Sequence, residues 1–217
     1  MLRRRYAAFE AAPGTAAHAV WELDMDTAPV PAPHAGGAAP VRITRHPGGA
    51  VHYAMHDVQA DWNPATGRGC ARLAADEYAA DGLLRVWLGG LLLHADPPGG
   101  LFHAAGAVRD GRGYLFAGRS GAGKSTLAAT CGAHELLSDE LVAVRGGAHG
   151  YRVYGTPFMG ELGIGGRNMA APLHELFLLD RAAHPGLSPV RPARAAAELW
   201  GSLLCFDNSP LTADAAL

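Results

Sequence analysis

The segment LFAGRSGAGKSTLAAT, Leu115 to Thr130, limits this chain more than any other. Gly118 to Ser125 satisfies G-x-x-x-x-G-K-[ST] in full, a pattern that needs an apolar strand before it and a helix after it. Gly118, Gly121 and Gly123 let the backbone turn its N–H groups inward, so that the loop, with Ser120 and Ala122, cradles phosphate oxygens. Lys124 reaches the outer phosphates, and Ser125 offers a hydroxyl to Mg²⁺. Thr126 carries the loop into a helix whose positive end faces the same anion. The expected ligands are ATP and Mg²⁺, held between Gly118 and Thr126.

The basic residues sharpen this reading. Of 18, 17 are arginine and one is lysine, and that lysine is Lys124. Chance would put the lone lysine there about once in eighteen, whereas a loop that needs a compact ammonium requires it. A formal net charge of −2 gives no footing for a bulk nucleic-acid partner. Cys70, Cys131 and Cys205 form no C-x-x-C or metal-spaced pair, which suits a reducing, cytoplasmic setting. The best apolar run, Leu83 to Ala95, is short and contains Arg85, so it reads as a core helix and no membrane association is expected. MLRRRYAAFE has basic residues with no apolar stretch behind them, and no secretory signal is expected.

The expected fold class is α/β, a hairpin-rich mixed sheet around the phosphate loop. Residues 1–75 form a β-rich N-terminal subregion and 76–217 the loop-bearing core, together one compact unit. Ala17–Met25 and Gly49–Asp57 look like strands, separated by a Pro/Gly loop over Thr27–Pro40. Helical spacing runs from Leu73 to Ala95. LFHAAGAVRDGRGYLFAG reads as a β-hairpin turning at Asp-Gly, with its second strand feeding the phosphate loop. A helix should run from Lys124 to about Cys131. A second hairpin is expected around RGGAHG, a buried strand over Leu173–Arg181 and a helix over Pro192–Phe206.

Two common users of such loops are disfavoured. A transporter ATPase needs an LSGGQ-like signature and a late apolar strand ending in Asp-Glu, and neither is present beyond Val144. A GTPase needs a second lysine for its guanine motif, and there is none. Close behind the loop stands an acidic pair, Asp139 and Glu140, in LLSDELV. A strand returning beside the loop would bring both carboxylates to the outer phosphate. One can then accept the proton of an incoming hydroxyl while its neighbour holds Mg²⁺. The alternative is a solvated turn.

Taken together, LFHAAGAVRDGRGYLFAGRSGAGKSTLAATCGAHELLSDELVAV resembles the catalytic core of the HPr kinase/phosphorylase family, whose nucleotide fold is akin to phosphoenolpyruvate carboxykinase. The resemblance spans about Leu83 to Leu179. It implies that Asp139 is the general base on a serine hydroxyl, assisted by His103 at the opening of the strand before the loop. His94 is nearby but does not match the motif position. The family's downstream Gly-rich segment finds a counterpart in GELGIGGRN, with Glu161 as a metal- or acceptor-site carboxylate. There Gly163 stands where the family has Arg, which weakens the case for phosphorylase activity and for HPr as the substrate. The short N-terminal region is more like small HPr-kinase-related serine kinases of lasso-peptide clusters.

The implied partner is a serine of a peptide or protein, with no nucleic acid and no membrane; homo-oligomers occur among relatives. An HPr kinase/phosphorylase, a small-molecule serine kinase and a non-catalytic nucleotide-gated binding protein stay open as alternatives. The N-terminal strands can take an extended peptide by edge pairing or serve ordinary sheet packing.

Overall fold

The computed structural model describes residues 6–15, 21–28, 41–55, 57–132, 135–160, 162–163, 165–182 and 184–204. They form a mixed α/β structure of two sheets and three helices. In the first sheet, β2 (Arg42–Arg45), β3 (Val51–Met55), β4 (Val58–Asn63) and β5 (Arg68–Leu73) succeed one another antiparallel. β1 (Glu22–Thr27) lies parallel on the outer side of β5. Period-two alternation buries Val58, Ala60 and Trp62 on one face of β4 and turns Gln59 and Asp61 outward.

Helix α1 (Glu77–Leu93) covers that face. Asp76 starts it, accepting a hydrogen bond from the Ala79 N–H at 2.7 Å. Its two faces serve two sheets. Ala79, Ala80, Leu83 and Val86 pack with Val51, Val58 and Trp62, whereas Leu84, Leu88 and Leu92 pack with Leu101, Leu141 and Phe158. Gly90 permits the first contact, because a Cβ there would come 3.2 Å from the Trp62 ring.

The second sheet holds β6 (Gly99–Arg109), β7 (Arg112–Ala117), β8 (Leu136–Ser138), β9 (Leu141–Arg145), β10 (Arg152–Tyr154) and β11 (Ala170–Leu178). The expected hairpin is present: β6 and β7 are antiparallel, and Asp110 and Gly111 both take positive φ, 51° and 73°, as a tight primed turn demands. The pairings β6–β7, β7–β11, β11–β10, β10–β9 and β9–β6 run in a closed circuit. Closure is possible because β6 is long and uses both edges. Gly99 to His103 pair with β9, whereas Ala104 to Arg109 pair with β7. β8 continues the β9 edge, opposite Gly106 and Ala107. Helix α2 (Lys124–Thr130) packs on this sheet through Ala128, against Ala105 and Leu136. Helix α3 (Pro192–Ser202) lies across it near Phe102.

The expectation of a buried strand at Leu173–Arg181 is corrected. β11 spans Ala170–Leu178, and only Ala171 on it is buried. α3 stands off the strand, leaving an apolar cavity of about 520 Å³ reached by Leu173, Leu176 and Trp200. β2, β4 and β5 form where no strand was expected. Most of the Thr27–Pro40 loop, the start of the strand expected at Ala17, and Cys205 with the segment after it lie outside the described residues.

Candidate active site

The phosphate loop leaves β7 at Ala117 and enters α2 at Lys124. Gly121 and Gly123 have φ of 75° and 107°, left-handed backbone that residues with a Cβ adopt at a cost. Gly118 is needed for a different reason, since a Cβ there would lie 2.9 Å from the Leu179 carbonyl oxygen. Lys124 is buried, and its ammonium donates to the carbonyl oxygens of Gly118 at 2.8 Å and Arg119 at 3.2 Å. The ammonium is thereby folded back under the loop. Ser125 and Thr126 form the first turn of α2. Positive-φ glycines suit a loop whose amides face a polyphosphate, the Lys124 ammonium would offset its charge, and Ser125 carries the hydroxyl a Mg²⁺ would need, so the residues present are compatible with such a ligand.

β6 carries the loop toward the other candidates. His103 is the last β6 residue paired to β9, and Ala104, the next, pairs with Ala117 at the foot of the loop. On the opposite edge the Ala104 N–H donates to the Glu140 carbonyl oxygen at 3.2 Å. One point on one strand therefore touches both the loop and the acidic pair. Side chains alternate along β6. Leu101 packs toward α1 and Ala105 toward α2, which leaves His103 between them on the same face. His103 is 44% exposed and lines a cavity of about 450 Å³ with Gly118, Arg119, Ser120 and Ser202. It is not a core histidine. His94 is elsewhere, with Nδ1 3.0 Å from the Gly90 carbonyl oxygen and its ring edge-on to Trp62.

The acidic pair interrupts the edge between β8 and β9. Ser138 Oγ accepts from the N–H groups of Glu140 and Leu141, each at 3.2 Å, and so folds the interruption into a turn. Asp139 is buried, not solvated. Its Oδ1 accepts from the Gly160 N–H at 3.1 Å and its Oδ2 from the Leu162 N–H at 3.2 Å. A carboxylate has about four acceptor directions, and the described residues fill two of them. Glu140 comes close to the same Gly160 backbone but has its own partners. Its Oε1 accepts from Arg85 Nη1 at 2.9 Å, and its Oε2 lies 3.8 Å from His103 Nδ1. Glu161 lies outside the described residues; its neighbours Gly160 and Leu162 are the donors to Asp139.

Arg85 was not singled out as a site residue by its sequence. Its Nε donates to Asp81 at 2.7 Å, and Tyr6 donates to the same carboxylate at 2.7 Å. Its Nη2 reaches the Met159 carbonyl oxygen at 3.3 Å, and the guanidinium lies 5.1 Å above the Phe158 ring. Burial pulls the Arg85 pKa down, but hydrogen bonds and attraction from Asp81 and Glu140 more than offset it and hold it above its usual value. The i, i+4 spacing of Asp81 and Arg85 on a helix was the available signal. Asp180 and Arg181 were also passed over, although they close the apolar run FLL at the end of β11.

Among the described residues, no group of three or more His, Cys, Asp or Glu could hold a metal ion. Mg²⁺ at a phosphate loop does not need one, because a hydroxyl, a carboxylate, water and phosphate oxygens suffice. No helix among them is long and apolar enough to cross a membrane.

A protein-family model matches the chain. The model described as ScmC, SynChlorMet cassette protein ScmC, covers residues 87–209, more than half of the 217 residues, and the chain belongs to that family. The matched region runs from within α1 past α3 and includes the phosphate loop, His103 and the acidic pair. No curated protein and no solved structure matches.

Proposed function

We propose that this member of the ScmC family is an ATP- and Mg²⁺-dependent kinase that phosphorylates a serine hydroxyl of a peptide or protein, built on an HPr kinase-like fold. One observation carries the reading: β6 sets His103 on a cavity it shares with the phosphate loop, with Glu140 of the acidic pair 3.8 Å from its ring. The leading acceptor is a ribosomally made precursor peptide of the lasso type. The family's description as cassette proteins accords with an acceptor encoded alongside.

In this reading Lys124 neutralises charge on the phosphate oxygens, and the loop amides fix their direction. Bound Mg²⁺ supplies further charge neutralisation at the transferring phosphoryl group; Ser125, with Glu140 or Glu161, would hold it. Asp139 takes the proton of the acceptor hydroxyl through one of its remaining acceptor directions, and His103 orients that hydroxyl from the cavity it lines with the loop. Such hydrogen bonds tighten when substrates bind. Alignment and electrostatics supply most of the rate.

The test is intact-mass spectrometry of reactions with Mg²⁺-ATP, using a serine-bearing precursor peptide from the same cassette and, separately, an HPr protein. Gain of one phosphate on the peptide, lost in Asp139→Asn while nucleotide binding persists, is the expected result. Transfer to HPr alone would redirect the reading to an HPr kinase. Bound nucleotide without transfer to either acceptor would leave a nucleotide-gated binding protein.

A further inference from the structure

β7 has different neighbours on its two edges, and they divide the surroundings of the loop. β6 is antiparallel and brings His103 and Glu140. β11 is parallel, so its carboxyl end lies beside the start of the loop. The Leu179 N–H donates to the Ala117 carbonyl oxygen at 2.7 Å, extending the pairing to the last residue before Gly118. Beyond it, Arg181 Nε donates to the Gly121 carbonyl oxygen at 2.8 Å. The two chain exits are thus tied together at both ends. Between them, under Arg194 and Glu198 of α3, is a second cavity of about 480 Å³. Crevices at the carboxyl ends of parallel strands are where α/β sheets bind ligands.

The chemistry of the two cavities differs. The two share Gly118, Arg119, Ser120 and Glu198, but the β6 cavity adds an imidazole with the Glu140 carboxylate 3.8 Å behind it, groups that orient or move protons. The β11 cavity has the apolar Leu178 and Leu179, the carboxylate of Asp180 and the planar cations of Arg181 and Arg194. A base wants apolar surface and a guanidinium face, and ribose hydroxyls want a carboxylate acceptor. Arg194 Nη2 lies 3.8 Å from Asp180 Oδ2, and both side chains are more than half exposed. A pair this open contributes little by itself, so either group can turn to a ligand.

We propose that the β11 cavity takes the nucleoside half of the nucleotide, with Asp180 accepting from the ribose hydroxyls and Arg194 lying against the base, and that the phosphoryl acceptor therefore enters from the β6 side. The placement rests on the nucleotide-binding reading of the phosphate loop, not on transfer having been observed.

Calorimetry in Mg²⁺ buffer tests it with ATP and inorganic tripolyphosphate as probes, on the wild-type chain, Asp180→Ala and Arg194→Lys. The wild type should bind ATP at least about tenfold more tightly than tripolyphosphate. Asp180→Ala should remove most of that preference. Arg194→Lys, which keeps the charge and loses the planar face, should weaken ATP about threefold. Tripolyphosphate should bind both variants as it binds the wild type. Equal losses on both probes would move these residues to the phosphates and overturn the placement, as would variants that leave ATP affinity unchanged. A wild-type chain that prefers tripolyphosphate, or does not discriminate, overturns it too. A chain that binds neither probe overturns the nucleotide reading itself, and the placement falls with it. Absence of phosphoryl transfer changes none of these affinities.

Discussion

The first sheet is assembled from strands adjacent in the chain, β2 to β5, with only β1 pairing out of order. The second brings β11 beside β7 across a whole helix and three intervening strands. Local pairing closes short loops at small entropic cost, whereas the β7–β11 pairing closes a long one. The candidate site belongs to the second kind. His103 stands between the loop and the acidic pair because β6 changes partners along its length, and the cavity beside β11 exists because that strand returns parallel to β7. The first sheet contributes a platform: it buries one face of α1, and the other face of that helix carries Arg85 to Glu140. The contrast separates a region that stabilises from one that holds the candidate site, with α1 as the joint.

Substitutions at three positions probe that separation. Trp62 is 2% exposed and lies with ring centroids 5.1 Å from Trp21 and 5.3 Å from His94. Trp62→Ala should cost about 3–5 kcal/mol of unfolding free energy in denaturant titrations and leave the turnover of the folded fraction unchanged. A large drop in turnover would show that the platform is part of the site. At the joint, Arg85→Ala leaves the carboxylates of Asp81 and Glu140 without their shared cation and should cost about 2 kcal/mol of stability. It should also slow transfer, and Arg85→Lys should restore stability better than rate, because one ammonium cannot serve both carboxylates in the guanidinium's fixed geometry. Should stability move alone, α1 is only a spacer. The smallest effect on stability is expected at Gly160. A Cβ there would lie 2.8 Å from Asp139 Oδ2 and 3.1 Å from Glu140 Oε2, so Gly160→Ala must displace the acidic pair. Unfolding free energy should fall by about 1 kcal/mol while transfer falls about tenfold, seen by comparing melting curves with initial rates.

Much of the fold was legible where local chemistry decides conformation. Asp110-Gly111 announced its turn, the phosphate loop announced the strand and helix around it, and the spacing over Leu73–Ala95 announced α1, which forms over Glu77–Leu93. β5 was not legible. RGCARL has too little apolar volume to read as a strand and becomes one by pairing between β4 and β1. β11 was legible as a strand but not in its burial, which depends on how far α3 stands from it. Of the candidate site residues, the loop and the acidic pair stood out by motif and by spacing. Arg85, Asp180 and Arg181 did not, because each is defined by a partner distant in sequence: Glu140 for Arg85, and the phosphate loop for the other two.

By itself the sequence determined the loop. Its glycines and its single lysine are dictated by backbone angles and charge within eight residues, and no distant contact is needed to specify them. Only the tertiary structure decided what surrounds the loop. Strand pairing is a choice among many partners of similar intrinsic preference, settled by which closure buries the most apolar surface and leaves the fewest backbone groups unpaired. That closure turned His103 toward the loop, buried Asp139 beneath Gly160, and gave Glu140 an arginine from the helix between the sheets.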